Sequence, residues 1–263
     1  MTSNMVPNYE VKLLMKPEAV LKSDNKLENT VLSTFNIPKS VEKMNVQFLD
    51  TDKKDIYDCG WSLRIRKMEN DNKFELTYKK RYPIIDGPDS DIEANIDAVL
   101  TTAKNEGFDS TTTYKAQVEV GYRKQVLSFS HDESYRDSSF SGMELPFEGA
   151  SREILAKKAP LEFKNWWNES WGIQKLSVSR IYGPVLAKRS EGKWDDMKLY
   201  IEVWPIKKRK GGTDIEHIVE ASFKTPSLTT ALEKRCKLEA FLQSKDWLLA
   251  QDSLKTSLIM ERY

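Results

Sequence analysis

The sequence is short of several things, and each shortage excludes a class of protein. Only two cysteines, Cys59 and Cys236, occur in 263 residues. A secreted scaffold of this size usually carries more, so reduced thiols and a cytoplasmic location are expected. Histidine is as scarce: His131 and His217 stand alone, and neither has metal-ligand spacing. There is no CxxC pair, no Ser-His-Asp order and no phosphate-cradling glycine loop. No stretch approaches the roughly 20 apolar residues that span a bilayer. The N-terminus is polar through Glu10, without the apolar run of a signal peptide. A surplus of either charge is missing too, with 41 Lys and Arg against 40 Asp and Glu, a net +1. General nucleic-acid binders carry a basic excess. Neither nucleic acid nor membrane is therefore expected as a partner.

What is plentiful is charge itself, 31% of residues, arranged in strands of period two. In residues 8–15, Tyr9, Val11, Leu13 and Met15 oppose Asn8, Glu10 and Lys12. Residues 61–67 set Leu63 and Ile65 against Arg64 and Arg66, and residues 74–80 set Phe74, Leu76 and Tyr78 against Glu75, Thr77 and Lys79. Residues 117–129 read as one strand, with Val118, Val120 and Tyr122 opposed to Glu119 and Arg123. Leu199, Ile201 and Val203 oppose Glu202 and Trp204 over 198–204, and Val219, Ala221 and Phe223 oppose Ile218 and Glu220 over 216–224. Weaker strands at 46–50 and 176–189 bring the count to about eight, a number at which a sheet can close. Helical spacing appears at 27–35, at 92–106 before Gly107, and at 161–171, which is rich in tryptophan. A further helix is expected over 231–243, opened by a capping box of Thr230 and Glu233. Residues 207–212 read as a hairpin turn, and about 131–172 as an irregular and helical insertion within a single domain spanning 1–263.

Each strand has one apolar face and one face mixing Lys or Arg with Glu. Periodicity alone is satisfied by an ordinary core with the charged face in water, the commoner arrangement. It is equally satisfied by helices on the apolar face and charges turned into a closed barrel. The amphipathic helices weigh towards the second arrangement without deciding it. Charges turned inward must pair or hold a ligand, because an isolated buried ion costs several kcal/mol. Arg and Lys then suit a polyanion, and carboxylates suit a hard divalent cation.

Several motifs, in order, resemble the CYTH superfamily of triphosphate tunnel metalloenzymes, which includes thiamine triphosphatase, inorganic triphosphatases and class IV adenylyl cyclases. They are NYEVK at 8–12, FLDT at 48–51, GWSLRIRK at 60–67 and FELTYKK at 74–80. YRKQVLSF, YIEVW, HIVEASFK and SLKTSLIME at 253–261 follow. The resemblance implies an α+β fold, a closed antiparallel eight-stranded barrel with helices on its outside. It implies that Lys12, Arg64, Arg66, Lys79 and Lys255 grip phosphate oxygens, with Glu10 and Lys79 at the catalytic centre. The next basic position falls on Arg123 by strand parity or on Lys124 by spacing, and Arg180 is a further basic position. Glu10, Glu202 and Glu220 match the carboxylates that hold Mg²⁺ or Mn²⁺, and Glu119 is placed to supplement them.

The sequence also departs from the family's pattern. Asn8 replaces the first Glu of the ExExK strand, Ile218 replaces the first Glu of the last pair, and Phe48 stands where some relatives carry a tyrosine. Phosphate gripping survives these changes better than metal binding or acid–base chemistry. The leading expectation is a metal-dependent phosphohydrolase acting on inorganic or organic triphosphate. One alternative is a lyase or cyclase acting on an isoprenoid diphosphate, motivated by Trp204, Phe48 and the reduced acid set. The other is a non-catalytic binder of polyphosphate or nucleotide. His131 is expected in a loop, and Trp166, Trp167 and Trp171 in helix packing.

Overall fold

A computed structural model describes residues 3–85, 91–252 and 255–263. The chain begins with β1 (Asn8–Met15), α1 (Pro17–Val20), α2 (Asn29–Thr34), β2 (Glu42–Asp50), α3 (Asp55–Asp58), β3 (Trp61–Met68) and β4 (Phe74–Ile84). It continues through α4 (Ile92–Asn105), β5 (Lys115–Val120), β6 (Gln125–Tyr135), α5 (Glu148–Lys158), α6 (Leu161–Lys164) and α7 (Trp171–Ser177). It ends with β7 (Arg180–Trp194), β8 (Met197–Lys207), β9 (Ile215–Thr225), α8 (Leu228–Ser244), β10 (Leu248–Leu249) and α9 (Lys255–Arg262). The strand order is β10-β1-β5-β6-β4-β3-β2-β7-β8-β9, and β1 also pairs with β9. That last pairing closes the sheet into a barrel of nine strands, one more than expected, with β10 outside the ring. No helix of the described residues is long and apolar enough to cross a membrane. Cys59 and Cys236 are both free.

The chain divides into two compact units, the first of residues 1–7, 45–117 and 125–184, the second of residues 8–44, 118–124 and 185–263. In the first, β3, β4 and β6 pair antiparallel, and α4 packs against β4 and β6. The apolar face these strands bury is aromatic. Trp61 lies 5.8 Å from Phe108, 5.3 Å from Phe163 and 5.6 Å from Trp166, each in an edge or tilted contact. The helix α4 starts at the Asp91 cap, whose carboxylate accepts from the Glu93 and Ala94 N–H groups, and Gly107 follows its end at φ 98°.

In the second unit, α8 packs against β1 and β9. Val11, Leu13 and Met15 of β1 and Val219, Ala221 and Phe223 of β9 are buried, as are Leu238 and Leu242 of α8. In each unit, then, helices cover the apolar strand face. The charged rows lie on the strand face away from α4 and α8, and α9 sets Lys255 against the charged row of the second unit.

Local structure departs from the sequence reading where distant contacts intervene. Residues 117–129 are two strands, β5 and β6, joined by a turn at 121–124. The carboxylate of Asp252 accepts from the N–H groups of Tyr122, Arg123 and Lys124 there, at 2.6, 2.8 and 3.1 Å. The stretch 161–171 is broken: α6 ends at Lys164, α7 starts at Trp171, and Trp166 and Trp167 lie between them. The helix α8 is capped by Ser227, whose hydroxyl accepts from the Thr230 N–H, so it starts one turn before the expected capping box. His131 sits within β6 rather than in a loop, and residues 176–177 belong to α7 rather than to a strand.

Candidate functional site

The charged faces carry two groups of side chains, one in each unit. In the second unit the antiparallel register sets Glu202 of β8 directly opposite Glu220 of β9. On the same strands Lys12 faces Ser222 and Glu10 faces Lys224. Side chains directly opposite in a ladder share a face, so Glu10, Lys12, Ser222, Glu220, Glu202 and Tyr200 stand together on the face away from α8. The Lys12 ammonium lies 3.0 Å from Glu10 and 3.0 Å from Glu119 of β5. Lys255, the first residue of α9, donates to Glu202 Oε2 at 2.6 Å and to Glu220 Oε1 at 2.8 Å. Its ammonium also lies 4.9 Å from the Trp204 ring centre. Arg189 of β7 donates to Glu202 Oε1 through Nε at 2.9 Å and Nη2 at 2.7 Å. Trp204 Nε1–H donates to Glu202 Oε2 at 2.9 Å.

Burial makes these pairings matter. The Glu202 and Glu220 side chains are 9% and 4% exposed, and Lys255 is 16% exposed. For Lys12, burial works against the charge, but Glu10, Glu119 and Glu220 outweigh it and hold the ammonium well above its ordinary range. Burial opposes ionisation of Glu202 as well, yet Lys255 and Arg189 drive its carboxyl well below the carboxylate range. Burial dominates at Glu220, with Lys255 and Lys12 only partly offsetting it, and raises its affinity for a proton.

The group in the first unit is smaller. Arg64 of β3 pairs across the ladder with Thr77 of β4, and Arg66 with Glu75. Arg64 Nη2 donates to Glu75 Oε1 at 2.7 Å and to Thr77 Oγ1 at 2.9 Å. Arg66 Nη2 donates to both oxygens of Glu75, at 2.6 and 2.7 Å. Thr77 donates in turn to Asp132 of β6 at 2.8 Å. Burial alone would raise the Glu75 carboxyl, but the two guanidinium groups pull it down to about 2. Lys79 lies two residues along β4 on the same face, opposite Ser62 and Ser130. Both arginines are only part-exposed, and the Nε of Arg66 is buried without an acceptor among the described residues.

Residues 7–163, more than half of the chain, match the family model described as CYTH domain. The chain belongs to the CYTH family. Its fold is similar to that of an adenylyl cyclase candidate from Hippeastrum, HpAC1, whose description reports a dominant triphosphatase activity. The two share 14% identity over 95% of this chain and 93% of that one, at a TM-score of 0.55. A Bacillus halodurans protein described as an adenylate cyclase candidate aligns at 12% identity over 97% of both chains, with a TM-score of 0.48 that carries no argument. No curated protein matches. At these identities the solved structures bear on the fold alone, and the family model carries the membership.

Within the CYTH frame, Glu10, Lys12, Glu202, Glu220 and Lys255 come together in one unit, as Arg64, Arg66 and Lys79 do in the other. Arg123 and Lys124 fall in the exposed turn after β5, so strand parity does not apply to either. Arg180, at the start of β7, donates to Asp52 at 2.7 Å and lies 3.7 Å over the Tyr182 ring. Sequence reasoning gave no role to Arg189, which ends the weak strand read at 176–189, or to Glu75, the counter-ion of the arginine pair. The alternation Arg-x-Arg facing a Glu one strand later was a usable signal for Glu75. For Arg189 the pairing follows from the β7–β8 register, which sets it directly opposite Glu202.

Enzymes of this family generally use divalent metal ions. The carboxylates of Glu10, Glu202 and Glu220 are the hard oxygen donors such ions take. Each is already bound by a protein cation, however, with Glu10 held by Lys12, Glu202 by Lys255 and Arg189, and Glu220 by Lys255. Among the described residues no group of three or more His, Cys, Asp or Glu side chains is arranged to hold a metal. The donors have the right chemistry, and a divalent ion would have to displace Lys12, Lys255 or Arg189 to reach them.

Proposed function

We propose that this protein binds a triphosphate, inorganic or attached to a small organic group, and hydrolyses its terminal phosphoanhydride bond. The observation that carries this reading is the ion-paired, largely buried row of Lys12, Lys255 and Arg189 among Glu10, Glu119, Glu202 and Glu220. A row of this kind holds cations in place before any ligand arrives, and a polyphosphate exchanges their carboxylate partners for its own oxygens. Phosphoryl transfer depends chiefly on positioning and on neutralising charge, and fixed Lys and Arg groups supply both. In this reading Lys12 and Arg189 hold phosphate oxygens and Glu10 accepts the proton of the attacking water. The water oxygen bonds to the terminal phosphorus while the bridging oxygen leaves with the electron pair of the broken bond.

Arg64, Arg66 and Lys79 of the other unit are proposed to bind the same class of ligand, and the buried Nε of Arg66 is a donor suited to an incoming oxygen. Arg123, Lys124 and Arg180 take no part. Trp204, one of the residues behind the diphosphate-lyase alternative beside Phe48 and the reduced acid set, already bears the Lys255 ammonium on its ring and donates to Glu202.

The test is release of inorganic phosphate from tripolyphosphate, ATP and thiamine triphosphate, each with and without Mg²⁺ or Mn²⁺. Turnover of at least one is expected, with kcat/KM falling about 100-fold or more in Lys12→Met. Absence of phosphate release from all three under every condition would overturn the proposal.

A further inference from the structure

Glu202 and Glu220 stand opposite one another on adjacent strands, and both are nearly out of reach of water. Two carboxylates so placed repel, and largely buried charges need a partner. A proton shared by the pair relieves this, and so does a cation held between them. The structure supplies one from its own chain, since the Lys255 ammonium donates to both at 2.6 and 2.8 Å.

The second observation concerns the lone pairs. A carboxylate offers about four acceptor directions. At Glu202, Oε1 takes Arg189 Nε and Nη2, and Oε2 takes Trp204 Nε1 and Lys255 Nζ, so four N–H donors fill them. A metal ion reaches Glu202 only by displacing one of them. The displaceable donor is Lys255, but it is tethered. It opens α9, whose far end is fixed where Arg262 donates to Glu216 at 2.5 Å and to the Lys207 carbonyl at 3.0 Å. The Tyr263 hydroxyl also accepts from the Lys207 N–H at 3.2 Å. A tethered ammonium competes at a high effective concentration against an ion free in solution.

We propose that Lys255 is a resident cation standing where a divalent metal would bind, and that it keeps Mg²⁺ and Mn²⁺ off the Glu202–Glu220 pair. The inference concerns cation occupancy and stands whether or not the chain hydrolyses triphosphate. Two carboxylates and water are a sufficient ligand set for Mg²⁺ or Mn²⁺ once the ammonium is gone.

The test is Mn²⁺ titration of the full chain without phosphate, followed by electron paramagnetic resonance and calorimetry. The native chain is expected to show no Mn²⁺ binding that depends on Glu220. Lys255→Ala is expected to gain one Mn²⁺ per chain, at least about tenfold tighter than any native site. The double variant Lys255→Ala with Glu220→Gln is expected to lose it, and Lys255→Arg, which keeps a cation, to behave as the native chain. If Lys255→Ala does not stay folded, the thermal midpoint of Lys255→Met reads the same equilibrium, rising with Mn²⁺ in the variant and not in the native chain. The proposal fails if native Mn²⁺ binding is abolished by Glu220→Gln, or if neither Lys255 variant responds to Mn²⁺.

Discussion

Replacing Glu75 by Gln keeps the shape of the side chain and removes the carboxylate that pairs with both Arg64 and Arg66. The native carboxyl is held at about 2 against an ordinary 4.5, because the two guanidinium groups outweigh its burial. At 1.36 kcal/mol per pH unit, that difference is worth about 3 kcal/mol. The side chain is 32% exposed, so solvent screening reduces the expected effect to about 1–2 kcal/mol. The sign follows from the direction of the shift. A carboxyl lowered on folding stabilises the protein above its unfolded value near 4.5, and that contribution is lost as pH falls through about 2. Urea unfolding should therefore show Glu75→Gln less stable than the native chain by about 1–2 kcal/mol at pH 7. The gap should narrow below pH 4.5 and close near pH 2. Tripolyphosphate should restore more stability to the variant than to the native chain, since it supplies the lost counter-charge. A gap that stays constant with pH, or no gap at pH 7, would refute the electrostatic account of this arginine pair.

Two further outcomes are expected. Asp252→Ala leaves the Tyr122, Arg123 and Lys124 amides without their acceptor and should cost about 1–3 kcal/mol, with faster hydrogen exchange confined to that turn. Trp204→Phe keeps an aromatic ring beside Lys255 but removes the N–H bonded to Glu202, and denaturant titration should show a loss of about 1.5–3 kcal/mol.

The strand faces were legible because period-two alternation is local. Tyr9 to Met15, Leu63 with Ile65, and Val219 to Phe223 are buried as their parity required. The turn at Gly121 was not legible, because the acceptor that holds its amides, Asp252, is 128 or more residues further along the chain. A β-carbon on Gly121 would collide with that carboxylate, a constraint visible only once the two segments meet. Lys80 shares the apolar parity of Tyr78 and is buried, 4.8 Å from the Tyr82 ring, 4.2 Å from the Trp166 ring and donating to the Cys59 carbonyl at 2.6 Å. Parity alone assigned no partner to such a lysine. The tryptophan-rich stretch is not one helix, and between α6 and α7 Trp166 meets Trp61 edge-on at 5.6 Å, a contact between segments distant in the chain.

By itself the sequence determined which residues share a strand face, that charges of both signs alternate there, and the order of motifs that marks the CYTH family. The first two depend on neighbours two to four positions apart, and the third on short motifs read in chain order. Only tertiary structure decided that helices cover the apolar faces, that Arg189 and Lys255 converge on Glu202, and that Lys255 lies between two facing carboxylates. Strand register and helix docking join segments distant in the chain, and an ion pair exists only where such segments bring opposite charges to within about 3 Å.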